Sequence, residues 1–313
     1  MLQKTKTAWL DDLVLLPREK RYKSIHASLE DNLLVSAPSK QEMPGGMYQL
    51  RKSGMFTPAE LITIDTIETS GLWLKDGLFL RSLQSMSTMF LLAYSESGHA
   101  WTIVNEELKN VHDILIFEGD LYVASCNTNE VACVSMKGEI KERWKFGIGG
   151  HTWHINCLSV WDNRLVVTCF GRYDTQPPWD LPADVRPGHV FDVKTGEYLW
   201  QELHCPHTPA VDPWGRKFVC DSREQRVLVK EPDGKINEIK FPGTFPKALA
   251  WGKEKLYIGL AKFRGELTGV EGIDSARIAI CDPHSFAVSD YIDLPCSEMY
   301  NIIVLPEKSA LAN

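Results

Sequence analysis

The sequence predicts an all-β chain, a six-bladed β-propeller with four-stranded blades, closed by a C-terminal strand. Three observations point to it. First, an apolar strand, a charged or Gly/Asn turn and a second apolar strand recur six times. The second-strand phrases are NLLVSA from Asn32, GLFLRS from Gly77, DLYVAS from Asp120, RLVVTC from Arg164, KFVCDS from Lys217 and KLYIGL from Lys255. Their starts lie 45, 43, 44, 53 and 38 residues apart, the period of a four-stranded propeller blade. Second, one more first-strand phrase, MYNIIVLPE, follows the sixth copy with no second strand behind it. Pairing it into blade one hides the edge that an open ring leaves. Third, 313 residues exceed the size at which one compact core stops growing, and radial repetition lets a single domain reach that length.

In order, residues 1–23 read as a polar lead-in, 24–306 as one propeller and 307–313 as a tail. Blade one takes NLLVSA, GGMYQLR and ELITID, with SIHASLE as a rival for its first strand. Blade two runs from TSGLWLKDGLFLRS through MFLLAYS to HAWTIV, and blade three from VHDILIFEGDLYVAS through VACVSM to IKERWKF. Blade four takes HINCLSVWDNRLVVTCFG and, after an insertion, GHVFDVKTGEYLWQEL. HTPAVDPWGRKFVCDS, RVLVKEPDG and INEIKF form blade five, and KALAWGKEKLYIGLAKF, RIAICDP and VSDYIDL form blade six.

Composition excludes several function classes. A net charge of −7 argues against a nucleic-acid or anionic-membrane surface. Nowhere do 18 uncharged apolar residues occur together, and the apolar run near the N-terminus is broken by Asp11 and Asp12, so neither a membrane span nor a secretory signal is expected. Of eight cysteines, Cys126, Cys133, Cys157, Cys169, Cys220 and Cys281 fall on strand phrases without a CxxC pair. Packed, reduced thiols in a cytoplasmic protein are the expectation. GxSxG, P-loop and Rossmann glycine patterns are lacking, which disfavours serine-hydrolase, nucleotide and dinucleotide chemistry.

Naming strands A to D from the axis outward, alternating direction puts the D-to-A and B-to-C loops on one face. Both long insertions, Gly171 to Gly188 and Phe263 to Ala276, are B-to-C loops, and long loops in compact domains are usually functional. At A-strand starts the same face receives His112, His154, His207 and Lys247, with Tyr300 at the analogous place in the final strand. At B-strand ends it receives Asn127, Arg172, Asp221 and Lys262. Three converging imidazoles suit zinc or another divalent transition metal with an open position. Arg172, Lys247, Lys262 and Arg264 bring positive charge to an otherwise acidic protein, which suits an anionic ligand. A nonmetal polar pocket is the other reading of the same residues. The local HxxH of His151 and His154 and the HCxH of His204, Cys205 and His207 are uninformative on a strand.

The ordered phrases VHD at Val111, HINCLSVWDNRLVVTCFG at His154, PHTPAVDPWGRKFVCDS at Pro206 and FPKALAWGKEKLYIGLAKFR at Phe245 resemble the signature segments of a family of bacterial propeller proteins of unknown function. Its members carry Ile-His-Asp, His-x-Asn-Gly-Leu, Pro-His-Ser-Pro-Arg and Gly-Leu-Ser-Lys-x-Arg phrases in this order. The resemblance covers roughly residues 105 to 270. It implies that His112, Asp113, His154, Asn156, Pro206, His207, Lys262 and Arg264 belong to a shared site, and it names no reaction. This chain departs at Ala210, where the family has Arg, and at Lys247, where Arg is usual. The family is similar in outline to six-bladed lactonases and amidating lyases, an analogy of fold alone.

Two function classes are therefore carried forward. One is a metal-dependent lyase, hydrolase or isomerase acting on a small anionic substrate in the central channel. In it His112, His154 and His207 hold the metal, Asp221 or Tyr300 moves a proton, and Arg172, Lys247, Lys262, Arg264, Asn127 and Asn156 contact substrate. The other is a noncatalytic propeller that binds a protein or glycan through its insertion-bearing face. Substrate, metal identity and oligomeric state are not encoded in any motif.

Overall fold

A computed structural model describes residues 22–25, 27, 29–38, 43, 45–54, 58–148, 150–175, 187–263 and 271–306. Blade one contains β1 (Tyr22–Ile25), β2 (Leu33–Ala37), β3 (Gly46–Arg51) and β4 (Ala59–Asp65). Blade two holds β5 (Thr69–Lys75), β6 (Leu78–Leu83), β7 (Met89–Ser95) and β8 (Ala100–Asn105). Blade three holds β9 (Val111–Phe117), β10 (Asp120–Ser125), β11 (Glu130–Val134) and β12 (Ile140–Lys145). In blade four are β13 (Ile155–Trp161), β14 (Arg164–Cys169), β15 (Gly188–Asp192) and β16 (Tyr198–Leu203). Blade five follows with β17 (Pro206–Val211), β18 (Lys217–Asp221), β19 (Arg226–Lys230) and β20 (Ile236–Lys240). Blade six has β21 (Thr244–Trp251), β22 (Leu256–Lys262), β23 (Arg277–Cys281) and β24 (Val288–Asp293), and β25 (Asn301–Val304) ends the series.

All pairings are antiparallel, and the six repeated phrases are the second strands β2, β6, β10, β14, β18 and β22. The propeller expectation is borne out. β25 hydrogen-bonds to β2 from Leu33↔Val304 to Ser36↔Asn301, so the C-terminal strand is the innermost strand of blade one. SIHASLE is not its rival. β1, which begins at Tyr22, pairs instead with β4 as a fifth strand on the outer edge, in the order β1-β4-β3-β2-β25. β1 spans residues on both sides of residue 23, where the propeller was expected to begin.

Alternation along each strand builds the core. Leu121 and Val123 of β10 pack toward blade two, whereas Tyr122 and Ala124 pack toward blade four, as side chains of period two must. Leu33 and Val35 likewise face blade six while Leu34 faces blade two. Among the described residues six larger apolar clusters each lie between two neighbouring blades, and the closing strand contributes Ile302 to the one between blades six and one.

Around the axis the inner strands are tied by polar side chains rather than by a sheet. Ser36 Oγ donates to the Ser70 carbonyl, Ser70 Oγ to the Val111 carbonyl at 2.7 Å, and Thr208 Oγ1 to the Lys247 carbonyl at 2.5 Å. The pairing of β13 with β14 shifts register between Ile155 and Leu158, freeing the Leu158 amide, which donates to Asp113 Oδ2 of blade three at 2.9 Å. Gly71 is required here: a Cβ at that position would lie 2.9 Å from Asp113 Cα. Among the described residues no helix is long and apolar enough to cross a membrane. All eight cysteines are buried free thiols.

Candidate active site in the central channel

Because inner strands begin where second strands end, one mouth of the channel collects the residues at both positions. His112 is the second residue of β9, and His154 immediately precedes β13. Their rings meet edge-on with centroids 5.0 Å apart. His154 has φ 52° and His151 φ 68°, left-handed conformations that cost about 1–3 kcal/mol each for non-glycine residues. They turn the loop so that His151 Nε2 lies 2.6 Å from His154 Nδ1. Cys126, directly after β10, completes a cluster. One ligand atom from each of His112, Cys126 and His154 lies within 4.8 Å of the others.

His207 stands outside this trio. The Phe170 ring stacks on His154 at 4.0 Å and meets His207 edge-on at 5.2 Å, so an aromatic plate separates the two histidines. His207 Nδ1 is engaged by the Cys205 carbonyl at 2.9 Å and Ser222 Oγ at 2.8 Å. Of the three histidines expected as ligands, His112 and His154 thus stand together with Cys126 among the described residues, while His207 lies beyond the Phe170 ring. Cys126 went unselected because a Cys on an apolar strand phrase reads as packing, and its one signal was its place at the end of the second strand opposite His112.

Deeper in the channel a cavity of about 120 Å³ is lined by His112, Asp113, Cys157, Thr208, Ala210 and Tyr300, among others. Tyr300 Oη lies 3.4 Å from both ring nitrogens of His112. The Lys247 ammonium sits 4.6 Å from the centre of the Tyr300 ring, placing positive charge beside the phenol. Lys247 also pairs with Glu298 at 2.8 Å, an acid the sequence reading missed. Burial pushes the Asp113 carboxyl up to about 7 against two backbone N–H bonds that pull it down. Asn156, fully buried, places Oδ1 3.1 Å from His112 Nδ1. Its Nδ2 is buried without a hydrogen-bond partner among the described residues, a cost of about 1–3 kcal/mol.

The other expected site residues do not gather at this cavity. Asp221 Oδ1 accepts the His204 amide at 2.6 Å and Oδ2 accepts Arg226 at 2.9 Å, a latch between loop and strand. Asn127 Oδ1 accepts from Asn110 at 3.1 Å, and its Nδ2 donates to the Met86 carbonyl. Arg172 is exposed, lies over the Trp153 ring at 4.9 Å and donates to the Tyr198 hydroxyl on the outer strand β16. Lys262 is exposed at the end of β22. Arg264, and Trp179 of the first insertion, lie outside the described residues.

Arg172 leaves its mark on His189 of β15. Burial first, and the guanidinium charge second, hold that imidazole down at about 4. An unfolded histidine titrates near 6.5, so as pH falls from about 6.5 toward 4 the unfolded chain takes up a proton that the native state refuses. Stability is expected to drop over that window. Urea midpoints at pH 7 and pH 5 should differ more for the wild type than for His189→Gln, and equal differences would discount the effect.

Residues 102–311 match the sequence profile of a domain of unknown function, DUF4915. The chain belongs to this family. The bacterial propeller family inferred from the ordered motifs is thereby established, with its function open. No curated protein matches the chain in sequence. Among solved structures, a chain of the nidogen/laminin complex is similar at 14% identity and TM-score 0.59, covering 88% of this chain and 99% of that one. A protein of unknown function from Bacteroides caccae is similar at 14% identity and TM-score 0.54, with 88% and 99% covered. A proposed 6-phosphogluconolactonase from Bacteroides fragilis is similar at 11% identity and TM-score 0.50, with 91% and 100% covered. At these identities the likeness is one of fold, a fold that serves both enzymes and binding proteins.

Proposed function

We propose that this chain is a cytoplasmic small-molecule enzyme, a lyase, hydrolase or isomerase, that binds a divalent transition metal at the channel mouth and acts on a small anionic substrate. The convergence of His112, Cys126 and His154 carries the reading. Two imidazoles and a thiolate suit zinc or a neighbouring transition ion. Ligand bonds of about 2.0–2.3 Å require donor atoms about 3.5 Å apart, so the cluster closes modestly onto an ion. Such an ion would polarise a substrate oxygen or lower the pKa of a bound water.

One thiolate against a divalent ion leaves net positive charge, which favours an anion without help from the exposed Arg172 and Lys262. Tyr300, beside His112 and lining the cavity, is the residue placed to carry a proton. The cavity of about 120 Å³ lined by His112 and Tyr300 is where a small substrate would meet the phenol. The similar fold of a proposed lactonase lends coarse support to an enzyme. Buried free thiols fit a reducing cytoplasm.

Elemental analysis of protein expressed with added zinc should find stoichiometric metal, lost in His112→Ala and Cys126→Ser while the circular dichroism stays that of the wild type. Holoprotein, and not apoprotein, should turn over a member of a panel of small lactones, hydroxy acids and phosphate esters. Alkylation after unfolding without reductant should reach all eight cysteines, and a native disulfide would argue for another compartment. Wild-type protein that takes up neither zinc nor cobalt would sink the metal reading and leave the noncatalytic binding propeller standing.

A further inference from the structure

We infer that the cavity deeper in the channel is a binding site for a small primary ammonium group, held by the carboxylate of Asp113. The site needs no ion at His112, Cys126 and His154. Asp113, the third residue of β9, is 8% exposed and lines the cavity. Its Oδ1 accepts the Ile114 amide and its Oδ2 the Leu158 amide of the neighbouring blade, both at 2.9 Å. Two backbone amides aim the carboxyl but bring no net charge. Among the described residues no lysine or arginine pairs with it, and none lines the cavity. A buried carboxylate in this position either takes up a proton or finds a positive partner. Burial raises the carboxyl to about 7, so near neutrality a proton supplies the charge and a cation can take its place.

The rest of the lining selects the kind of cation. Lys247, close enough to act on the Cys157 thiol, is already paired with Glu298 at 2.8 Å, so the chain does not supply the partner itself. Thr208 Oγ1 gives its proton to the Lys247 carbonyl, which leaves the lone pairs of that hydroxyl to accept. Each Asp113 oxygen likewise keeps a lone pair beyond its amide, and an ammonium group brings three N–H donors to such acceptors. Leu158, Pro209 and Ala210 add an apolar wall, which suits the carbon that an amine carries. A calcium ion, which takes six to eight oxygen ligands, gains nothing from that side.

Calorimetric titration of the full chain with ethylammonium chloride provides the test, with ethanol, sodium chloride and calcium chloride as comparators. Saturable one-to-one binding of ethylammonium is expected, and it should be absent with ethanol and in Asp113→Asn. With the carboxyl at about 7, the binding-competent ionised fraction is about nine-tenths at pH 8 and one-tenth at pH 6, so affinity should fall about tenfold between them. Cys157, pushed up to about 12 by burial, stays neutral over this range, and β5 and β17 bring no titratable side chain to the lining. His112 and Tyr300 do line it, and infrared difference spectra tell them from Asp113. Binding at pH 6 should convert a protonated carboxyl band into a carboxylate band, which neither imidazole nor phenol produces. Tighter binding of sodium or calcium than of ethylammonium, or equal binding of ethanol, would overturn the inference. So would a wild type that binds no ethylammonium, whatever its uptake of zinc or cobalt. Should Asp113→Asn fail to fold, the wild-type spectra decide: ethylammonium bound without ionising a carboxyl would refute the site.

Discussion

A chain truncated after Tyr300 is expected to lose its cooperative unfolding transition. The missing segment contains β25, which supplies the inner strand of blade one and pairs with β2 over four residues. Without it β2 presents a free edge on the axis side, and Ser36 Oγ, which donates to the Ser70 carbonyl of blade two, loses the Asn301 amide that donates to it. Such an edge invites association between chains. A point variant gives the graded form of the same result. Ile302 is buried between blades six and one, so Ile302→Asp places a carboxyl in an apolar contact, which even in its neutral, protonated form costs about 2–7 kcal/mol. Urea unfolding followed by tryptophan fluorescence should show no native baseline for the truncated chain and a strongly lowered midpoint for Ile302→Asp. A truncated chain that unfolds at the wild-type midpoint would mean that the ring closes by other means.

Lys247→Ala should be nearly as damaging, through charge rather than topology. Lys247 and Glu298 are 2% and 3% exposed and 2.8 Å apart, so the single substitution leaves a carboxylate in a dry site without its cation. Losses of about 3–5 kcal/mol are typical when one member of a buried pair is removed. The double variant Lys247→Met, Glu298→Leu is expected to recover most of that stability, since two apolar groups require no compensation. If the double variant is as unstable as the single one, Lys247 owes its place to its other contacts, above all the face of Tyr300. The comparison also separates stability from local chemistry, because the double variant keeps His112, Cys126 and His154 while removing the charge beside the Tyr300 phenol.

Much of the fold was readable in the chain because propeller blades repeat. The phrase DLYVAS alternates between two packing interfaces, and that period-two signal recurs with the spacing of a blade wherever a second strand occurs. The closing role of MYNIIVLPE followed from counting, since a seventh first strand with no second strand has one useful place to go. SIHASLE was weighed as a first strand, whereas its opening residues belong to β1 on the outer edge, because an outermost strand needs to satisfy only one neighbour and four residues at a sheet edge carry too little pattern to show which neighbour it is.

At the site, strand order determined which residues reach the channel mouth. His112, His154, His207, Lys247 and Tyr300 all stand at or beside first-strand starts separated by whole blades, a placement that strand order in the sequence implies. What each side chain touches was decided only in three dimensions. Register shifts in the inner strands, as between His207 and Ala210 and between Pro246 and Ala248, re-aim side chains within a residue or two, and a one-residue slip reverses the face a side chain occupies. Long cations then take the nearest available acceptor or ring: Lys247 takes Glu298, 51 residues away, and Arg172 lies on Trp153. Cys126 joins two histidines because blades three and four bring their strand ends together at the axis. Strand pattern is written locally and so can be read from neighbours in sequence, whereas the donor set of a channel is assembled across blades by packing, which no local signal records.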